Sequence, residues 1–128
     1  MDLNIYQKFV SSTTSSESKG LGEFIDRIVT LNTNVPLLLT ASVGLASESG
    51  EFSEIVKKVI FQGKELNDDV RFHMLRELGD ICWYLANAAN ALNVDLEEIV
   101  KMNVEKLEAR YPNGFEVARS ENRAKGDV

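Results

Sequence analysis

The sequence predicts an all-α protein whose helices are separated by short polar breaks. Apolar residues recur at the three- and four-residue spacing of a helix along most of the chain. No segment shows the strict alternation with turn dipeptides that indicates a β-hairpin. A chain of 128 residues suffices for a single modest core. We therefore expect one four-helix-bundle-like domain over 1–128, with its core at about 36–115 and a weakly structured polar tail at 116–128.

Start and stop signals divide the chain into five predicted helices. Pro36 suits the first turn of a helix, and Gly63 suits a C-terminal stop. Asp95 and Glu98 have the spacing of a capping box, while the Ser/Thr-rich stretch 11–18 either frays the first helix or forms a loop. The predicted helices run from Leu3 to about Phe9, across 20–32, from Pro36 to about Phe61, from Asn67 or Asp68 to about Leu92, and from Asp95 to about Tyr111.

Two acidic pairs lie on apolar helix faces, where a carboxylate has no structural reason to be. They are Glu48 with Glu51, and Glu77 with Asp80, each pair three residues apart. At about 100° per residue, apolar side chains follow the first acid of each pair at the same four offsets. These side chains are Phe52, Ile55, Val56 and Val59 in one helix, and Ile81, Tyr84, Leu85 and Ala88 in the other. Because the acids of a pair lie one turn apart on one side, both pairs can converge on one point.

Four convergent carboxylates predict a metal site. A buried carboxylate is costly unless it is paired or coordinates a cation, although a solvated helix face is the alternative for either pair taken alone. The candidate ligands, Glu48, Glu51, Glu77 and Asp80, are all oxygen donors, which favours Mg²⁺, with Mn²⁺ as a substitute. A di-iron helical bundle would need Glu-x-x-His on two helices, and His73 is the only histidine.

The last predicted helix carries a complementary set of polar groups. Asn103 falls on the apolar stripe of this helix and is expected to point inward, and Lys106 and Arg110 lie on the adjoining flank. A metal-bound polyphosphate needs such cations for the oxygens that the metal does not reach. Pairing of Lys106 with Glu98 or Glu105 on the same helix is the alternative.

Composition restricts the partners. With 20 acidic and 14 basic side chains, the net charge of −6 disfavours a nucleic-acid polymer. A single cysteine, Cys82, suits a reducing compartment, and we expect it to pack within its helix. No targeting segment or apolar run of membrane-spanning length is present, so we expect no membrane partner and a cytoplasmic location, in the host if the protein is viral.

Three strings resemble the MazG-like nucleoside triphosphate pyrophosphohydrolases, all-α enzymes of bacteria, archaea and phages. The strings are GLASESGEFSEIVKK, LRELGDICWYLANAANAL and DLEEIVKMNVEKLEARYPNGF, and the resemblance spans roughly 36–115. It implies a MazG fold and hydrolysis of a nucleotide between its α and β phosphates with Mg²⁺, giving a monophosphate and pyrophosphate. It also implies a dimer or tetramer, with the active site near a subunit interface.

The resemblance assigns roles to residues of this sequence. It implies that Glu48, Glu51, Glu77 and Asp80 hold the metal and that Asn103, Lys106, Arg110 and Tyr111 contact the nucleotide. Glu48 or Glu51 is the expected acceptor of a proton from the attacking water. Lys58 and Asn87 follow Glu51 and Asp80 by seven residues on the same flanks, as candidates for phosphate and for sugar or base contacts. Trp83 could stack on a base, with packing as the alternative.

The expected substrate is a nucleotide. We favour deoxynucleoside triphosphates and a role in nucleotide-pool control, in a phage setting for viral DNA synthesis. The alternatives are a dUTP-specific or alarmone hydrolase of the same superfamily. A non-catalytic helical adaptor that uses the acids only structurally is the alternative outside the enzymes.

Overall fold

The computed structural model describes residues 2–123 and confirms the all-α class. No strand occurs in this range, apart from an isolated bridge between Pro112 and Gly114. The helices in chain order are α1 (Leu3–Thr13), α2 (Ser16–Lys19), α3 (Leu21–Val29), α4 (Val35–Phe61), α5 (Asp68–Leu92), α6 (Leu96–Arg110) and α7 (Val117–Glu121). No helix among the described residues is both long and apolar enough to cross a membrane.

The described chain divides between Val35 and Pro36 into two compact units. This boundary coincides with the start that we predicted for the core, whereas a single domain over 1–128 stays a prediction. The tail prediction is wrong for Val117–Glu121, which is helical, and its part at 124–128 lies outside the described residues.

The first unit contains α1 to α3. The carboxylate of Asp2 caps α1 by accepting a hydrogen bond from the amide of Asn4 at 2.9 Å. We predicted an end near Phe9, but α1 continues to Thr13, and the Ser and Thr hydroxyl groups of its last turn bond back to carbonyls of the preceding turn. The Thr14 hydroxyl likewise donates to the Val10 carbonyl at 2.7 Å.

In the second unit, the long helices begin and end close to the predicted signals. Pro36 lies in the first turn of α4, and Gly63 follows its end with a φ of 69°. The side chain of Asn67 caps α5 by accepting a hydrogen bond from the amide of Val70 at 3.0 Å. Pattern and capping chemistry therefore fix the two helices that carry the acids.

A Schellman motif joins α5 to α6. Asn93 has a φ of 54°, and the Val94 amide donates to the Ala89 carbonyl at 3.1 Å. The predicted capping box is wrong, because the Asp95 side chain makes no capping hydrogen bond among the described residues. The Glu98 amide donates instead to the backbone carbonyl of Asp95 at 3.1 Å.

Helices α4 and α5 run antiparallel along a shared seam. Gly44 of α4 lies against Tyr84 of α5, and further along α4, Glu51 meets Glu77, which precedes Tyr84 in sequence. The apolar side chains buried in this unit are all small or medium in size: Ala41, Val70, Ala89 and Ala91. The contact of Gly44 with Tyr84 and the meeting of Glu51 with Glu77 define this seam, which positions the acidic pairs.

The apolar face of α6 is less covered than the sequence predicted. Helix α6 packs against α5, but Leu96, Val100 and Leu107 are exposed, and Asn103 lies exposed with them. The expected inward orientation of Asn103 is therefore wrong for a single chain. The described residues leave this stripe facing solvent because α5 covers only part of α6.

Candidate functional site

Three carboxylates from α4 and α5 meet across the seam. Glu48, Glu51 and Glu77 each offer an oxygen atom, and these oxygens all lie within 4.8 Å of one another. Glu48 and Glu51 project from successive turns of α4, and Glu77 reaches them from α5. We call these three residues the acid cluster.

The donor set of the acid cluster fits a hard divalent cation. Two oxygens that each lie about 2.1 Å from one Mg²⁺ are at most about 4.2 Å apart. The oxygens of the cluster are close enough for small side-chain rotations to reach that separation. Because the donors are all carboxylate oxygens, the residues suit Mg²⁺ or Mn²⁺ better than a soft transition metal.

The surroundings of Glu48 disfavour its ionised form. Partial desolvation raises the pKa of the Glu48 carboxyl above its ordinary value, and the negative charges of Glu51, Asp80 and Glu77 raise it further. A hydrogen bond with the side chain of Glu77 acts in the same direction. Close approach of like charges without a cation disfavours ionisation, and a bound cation would relieve this repulsion.

Asp80 lies at the margin of the site. Its charge raises the pKa of Glu48, but it is exposed and is not one of the three residues whose oxygens cluster. The sequence placed all four acids on a core-facing stripe, yet Glu48 and Glu77 are half-buried and Glu51 is exposed. That expected burial is wrong, because two helices alone cover only one side of each carboxylate.

Glu48→Gln is expected to remove one step from the pH dependence of stability in cation-free buffer. Because the pKa of Glu48 is raised in the folded state, the contribution of this carboxyl to the free energy of unfolding is fully present below the ordinary pKa of 4.5. That contribution is lost as pH rises through the folded-state pKa, because the unfolded chain then ionises more readily. The free energy of unfolding of the wild type, minus that of the variant, should therefore fall across this window. Urea unfolding at a series of pH values with chelator measures the difference, and an increase with pH contradicts the assignment.

A cavity of about 330 Å³ opens beside the acid cluster. Its lining consists of Ser47, Gly50, Glu51, Glu54, Ile55, Lys58 and Glu77, all from α4 and α5. Lys58, our candidate for a phosphate contact, is part of this lining, and its Nζ is 3.4 Å from a carboxylate oxygen of Glu54. The cavity combines anionic ligands for a cation with a cationic group nearby.

The sequence interpretation missed Glu54. Its carboxylate pairs with Lys57 and Lys58, and these ammonium groups, the hydrogen bond from Lys57 first, lower the pKa of Glu54. A signal was present, since Glu54 follows Glu51 at the same three-residue spacing that joins Glu51 to Glu48. Glu54 therefore forms ion pairs with lysine side chains, in contrast to the acids of the cluster, which lie against one another.

Two further candidates lie along α5. Trp83 is 57% exposed and its ring meets that of Tyr84 edge to face, with centroids 4.9 Å apart. The side-chain amide of Asn87 donates to the Trp83 carbonyl at 3.0 Å. Neither residue lines the cavity in the described part of the chain. Asn87 lies two turns beyond Asp80, whereas Lys58 lies beyond Glu51 toward the other end of the seam.

The candidates of α6 form a separate group. Lys106 and Asn103 are exposed, and the Arg110 guanidinium lies 5.8 Å from the centroid of the Tyr111 ring. Tyr111 in turn contacts Phe115, with ring centroids 5.4 Å apart. Among residues 2–123, no α6 side chain belongs to the lining of the cavity beside the acid cluster. Cys82, which we expected to pack, is exposed.

One relative and one family model match the sequence. The chain is 30% identical over 125 residues to the Gene 37 protein of Mycobacterium phage L5, covering 96% of this chain and 100% of that protein. This relative supports a phage member. No solved structure matches. The family model of the MazG nucleotide pyrophosphohydrolase domain matches residues 38–115. Since this match covers more than half of the chain and includes both helices of the acid cluster, the chain belongs to the MazG nucleotide pyrophosphohydrolase domain family.

Proposed function

We propose that this protein is a Mg²⁺-dependent nucleotide pyrophosphohydrolase that converts (deoxy)nucleoside triphosphates to monophosphates and pyrophosphate. The observation that carries the proposal is the convergence of Glu48, Glu51 and Glu77 within 4.8 Å in a chain of this family. Asp80 is proposed as the fourth ligand, because its charge already acts on Glu48. Control of the nucleotide pool, in a phage for viral DNA synthesis, is the proposed role.

The proposed reaction breaks the bridge between the α and β phosphates. The oxygen of a water molecule bonds to the α phosphorus, the bond from that phosphorus to the bridging oxygen breaks, and pyrophosphate leaves. A bound Mg²⁺ would neutralise charge on the phosphate oxygens and would lower the pKa of its bound water. Glu48 or Glu51 accepts the proton released by the water, since both carboxylates lie within the acid cluster.

Cationic side chains of the protein would complete the phosphate site. Lys58 lines the cavity together with Glu51 and Glu77, so its ammonium group can approach phosphate oxygens there. Its pairing with Glu54 is an exposed ion pair, which contributes little stability and can be exchanged for a phosphate. We propose that Asn103, Lys106, Arg110 and Tyr111 contact the nucleotide, as the family resemblance implies. Trp83 is proposed to stack on the base, and Asn87 to contact the sugar or the base.

The direct test is product analysis with a panel of canonical nucleoside and deoxynucleoside triphosphates. Incubation with Mg²⁺ should give monophosphate and pyrophosphate, resolved by chromatography, and chelator should abolish both products. Hydrolysis of dUTP alone would identify the dUTP-specific alternative. Absence of turnover across the panel contradicts the proposed substrate class, and the same assay with guanosine tetraphosphate then tests the alarmone alternative. The helical adaptor predicts no turnover and no thermal shift with Mg²⁺ plus nucleotide.

A second copy of the chain is the expected partner of the exposed α6 face. Val100 is 55% exposed and Leu107 is 42% exposed, while Leu75 of α5 is 66% exposed. Large apolar side chains on helices of this length need covering, which favours a homo-oligomer, a dimer or a tetramer. Sedimentation velocity at micromolar concentration should show a dimer or larger species. A monomer under these conditions contradicts the prediction.

A further inference from the structure

We infer that Tyr84 is a positioning residue for the proposed cation site, because its contact with Gly44 sets the separation of α4 and α5 beside the acid cluster. This inference rests on the proposed function of that cluster. It assigns Tyr84 no contact with substrate or cation. Tyr84 acts only by setting the distance between α4 and α5.

The contact is closer than any side chain at position 44 would allow. A Cβ atom added at Gly44 would overlap the ring of Tyr84, and its three nearest neighbours would all be carbon atoms of that ring. The other glycines within these two helices, Gly50 and Gly79, have nothing within 4 Å of an added Cβ. Of the glycines in α4 and α5, Gly44 is therefore the one whose missing side chain makes room for a side chain of the other helix.

The contact lies one helical turn from the acids on the same seam. Glu48 follows Gly44 by four residues on α4, and Asp80 precedes Tyr84 by four residues on α5. Four residues advance a helix by about 6 Å, and residues four apart share a face. We therefore expect a change in helix separation at Gly44 to extend to Glu48, one turn away on α4.

Neighbouring side chains pack around part of the contact, although Trp83 is 57% exposed. Ala41, one turn before Gly44, is 0% exposed. On the other side, the Tyr84 ring meets the Trp83 ring edge to face at 4.9 Å between centroids. Close-packed interiors transmit added volume as backbone shifts. Metal–ligand distances lie within about 0.2 Å of their ordinary values, so we expect binding by the acid cluster to depend on this spacing.

Gly44→Ala is expected to weaken Mn²⁺ binding by roughly 10- to 100-fold, the range seen when groups that orient metal ligands are removed. Electron paramagnetic resonance of free Mn²⁺ during titration measures the affinity without requiring turnover. Gly79→Ala is the matched control on α5, since its added methyl group meets open space, and it should bind Mn²⁺ like the wild type. Both variants should retain the helical circular-dichroism signal.

A second pair of variants keeps the test decisive if Gly44→Ala fails to fold. Tyr84→Phe keeps the ring carbons that face Gly44 and should bind Mn²⁺ like the wild type, whereas Tyr84→Ala should lose affinity. In a folded positioning variant, activity should recover at saturating Mg²⁺, which a general structural defect would not allow. Unchanged Mn²⁺ affinity in folded Gly44→Ala, or in Tyr84→Ala, overturns the inference alone. Absence of Mn²⁺ binding in the wild type overturns both the inference and the proposed cation site.

Discussion

Replacement of Glu51 by glutamine is expected to lower the rate of pyrophosphate release by roughly two to four orders of magnitude, the range associated with loss of a positioned acid or base. Glu51 belongs to the acid cluster and also lines the cavity beside it. Glutamine keeps the size and shape of the side chain but removes the negative charge that a cation or a proton requires. The same change therefore affects both proposed roles of this residue.

The matched control is Glu65→Gln, which removes one negative charge from the exposed segment between α4 and α5. Its turnover should stay within about threefold of the wild type, since an exposed charge away from a site contributes little. Circular dichroism should show the same helical content in both variants. Glu51→Gln with turnover close to that of Glu65→Gln would remove Glu51 from the mechanism.

Divalent cation is expected to stabilise the folded protein strongly. At a concentration one hundred times its Kd, a ligand that binds only the folded state adds about 2.7 kcal/mol, which corresponds to a rise in Tm on the order of 10 °C for a chain of this size. The structural reason is the acid cluster, where desolvation first and then the neighbouring negative charges raise the pKa of Glu48. Thermal unfolding with Mg²⁺ and with chelator, at constant protein concentration, measures the effect.

Glu77→Gln should change both the Tm in chelator and the rise in Tm that Mg²⁺ produces. In chelator its Tm is expected to exceed that of the wild type, because one of the charges acting on Glu48 is gone. In Mg²⁺ the variant should show little further rise, because one oxygen ligand of the cluster has lost its charge. A variant that is less stable than the wild type in chelator and equally stabilised by Mg²⁺ would show that these acids serve another purpose.

The helices of the site were predictable because their signals are local. Asn67 caps α5 and Pro36 opens α4 through interactions within a few residues, so sequence alone locates both helices closely. The three-residue spacing of each acidic pair also depends only on helix geometry. That spacing correctly predicted the meeting of Glu48, Glu51 and Glu77 across two helices.

Features that depend on how helices pack were not predictable in the same way. Nothing local to Gly44 indicates that the Tyr84 ring lies against it, since the contact joins residues forty positions apart. The exposure of Asn103 likewise depends on what covers α6, which its apolar stripe does not reveal. Glu54 had a usable signal in its spacing, but its role follows from Lys57 and Lys58 beside it.

The most direct test of the central claim is a titration of Mn²⁺ into the wild type and Glu77→Gln, followed by electron paramagnetic resonance. The claim is that carboxylates of α4 and α5 form one divalent-cation site, which no single helix provides. The account predicts that the wild type binds Mn²⁺ and that Glu77→Gln binds it at least about tenfold more weakly, as expected for a lost ligand. Equal affinity of the two proteins, or no binding by the wild type, would contradict it.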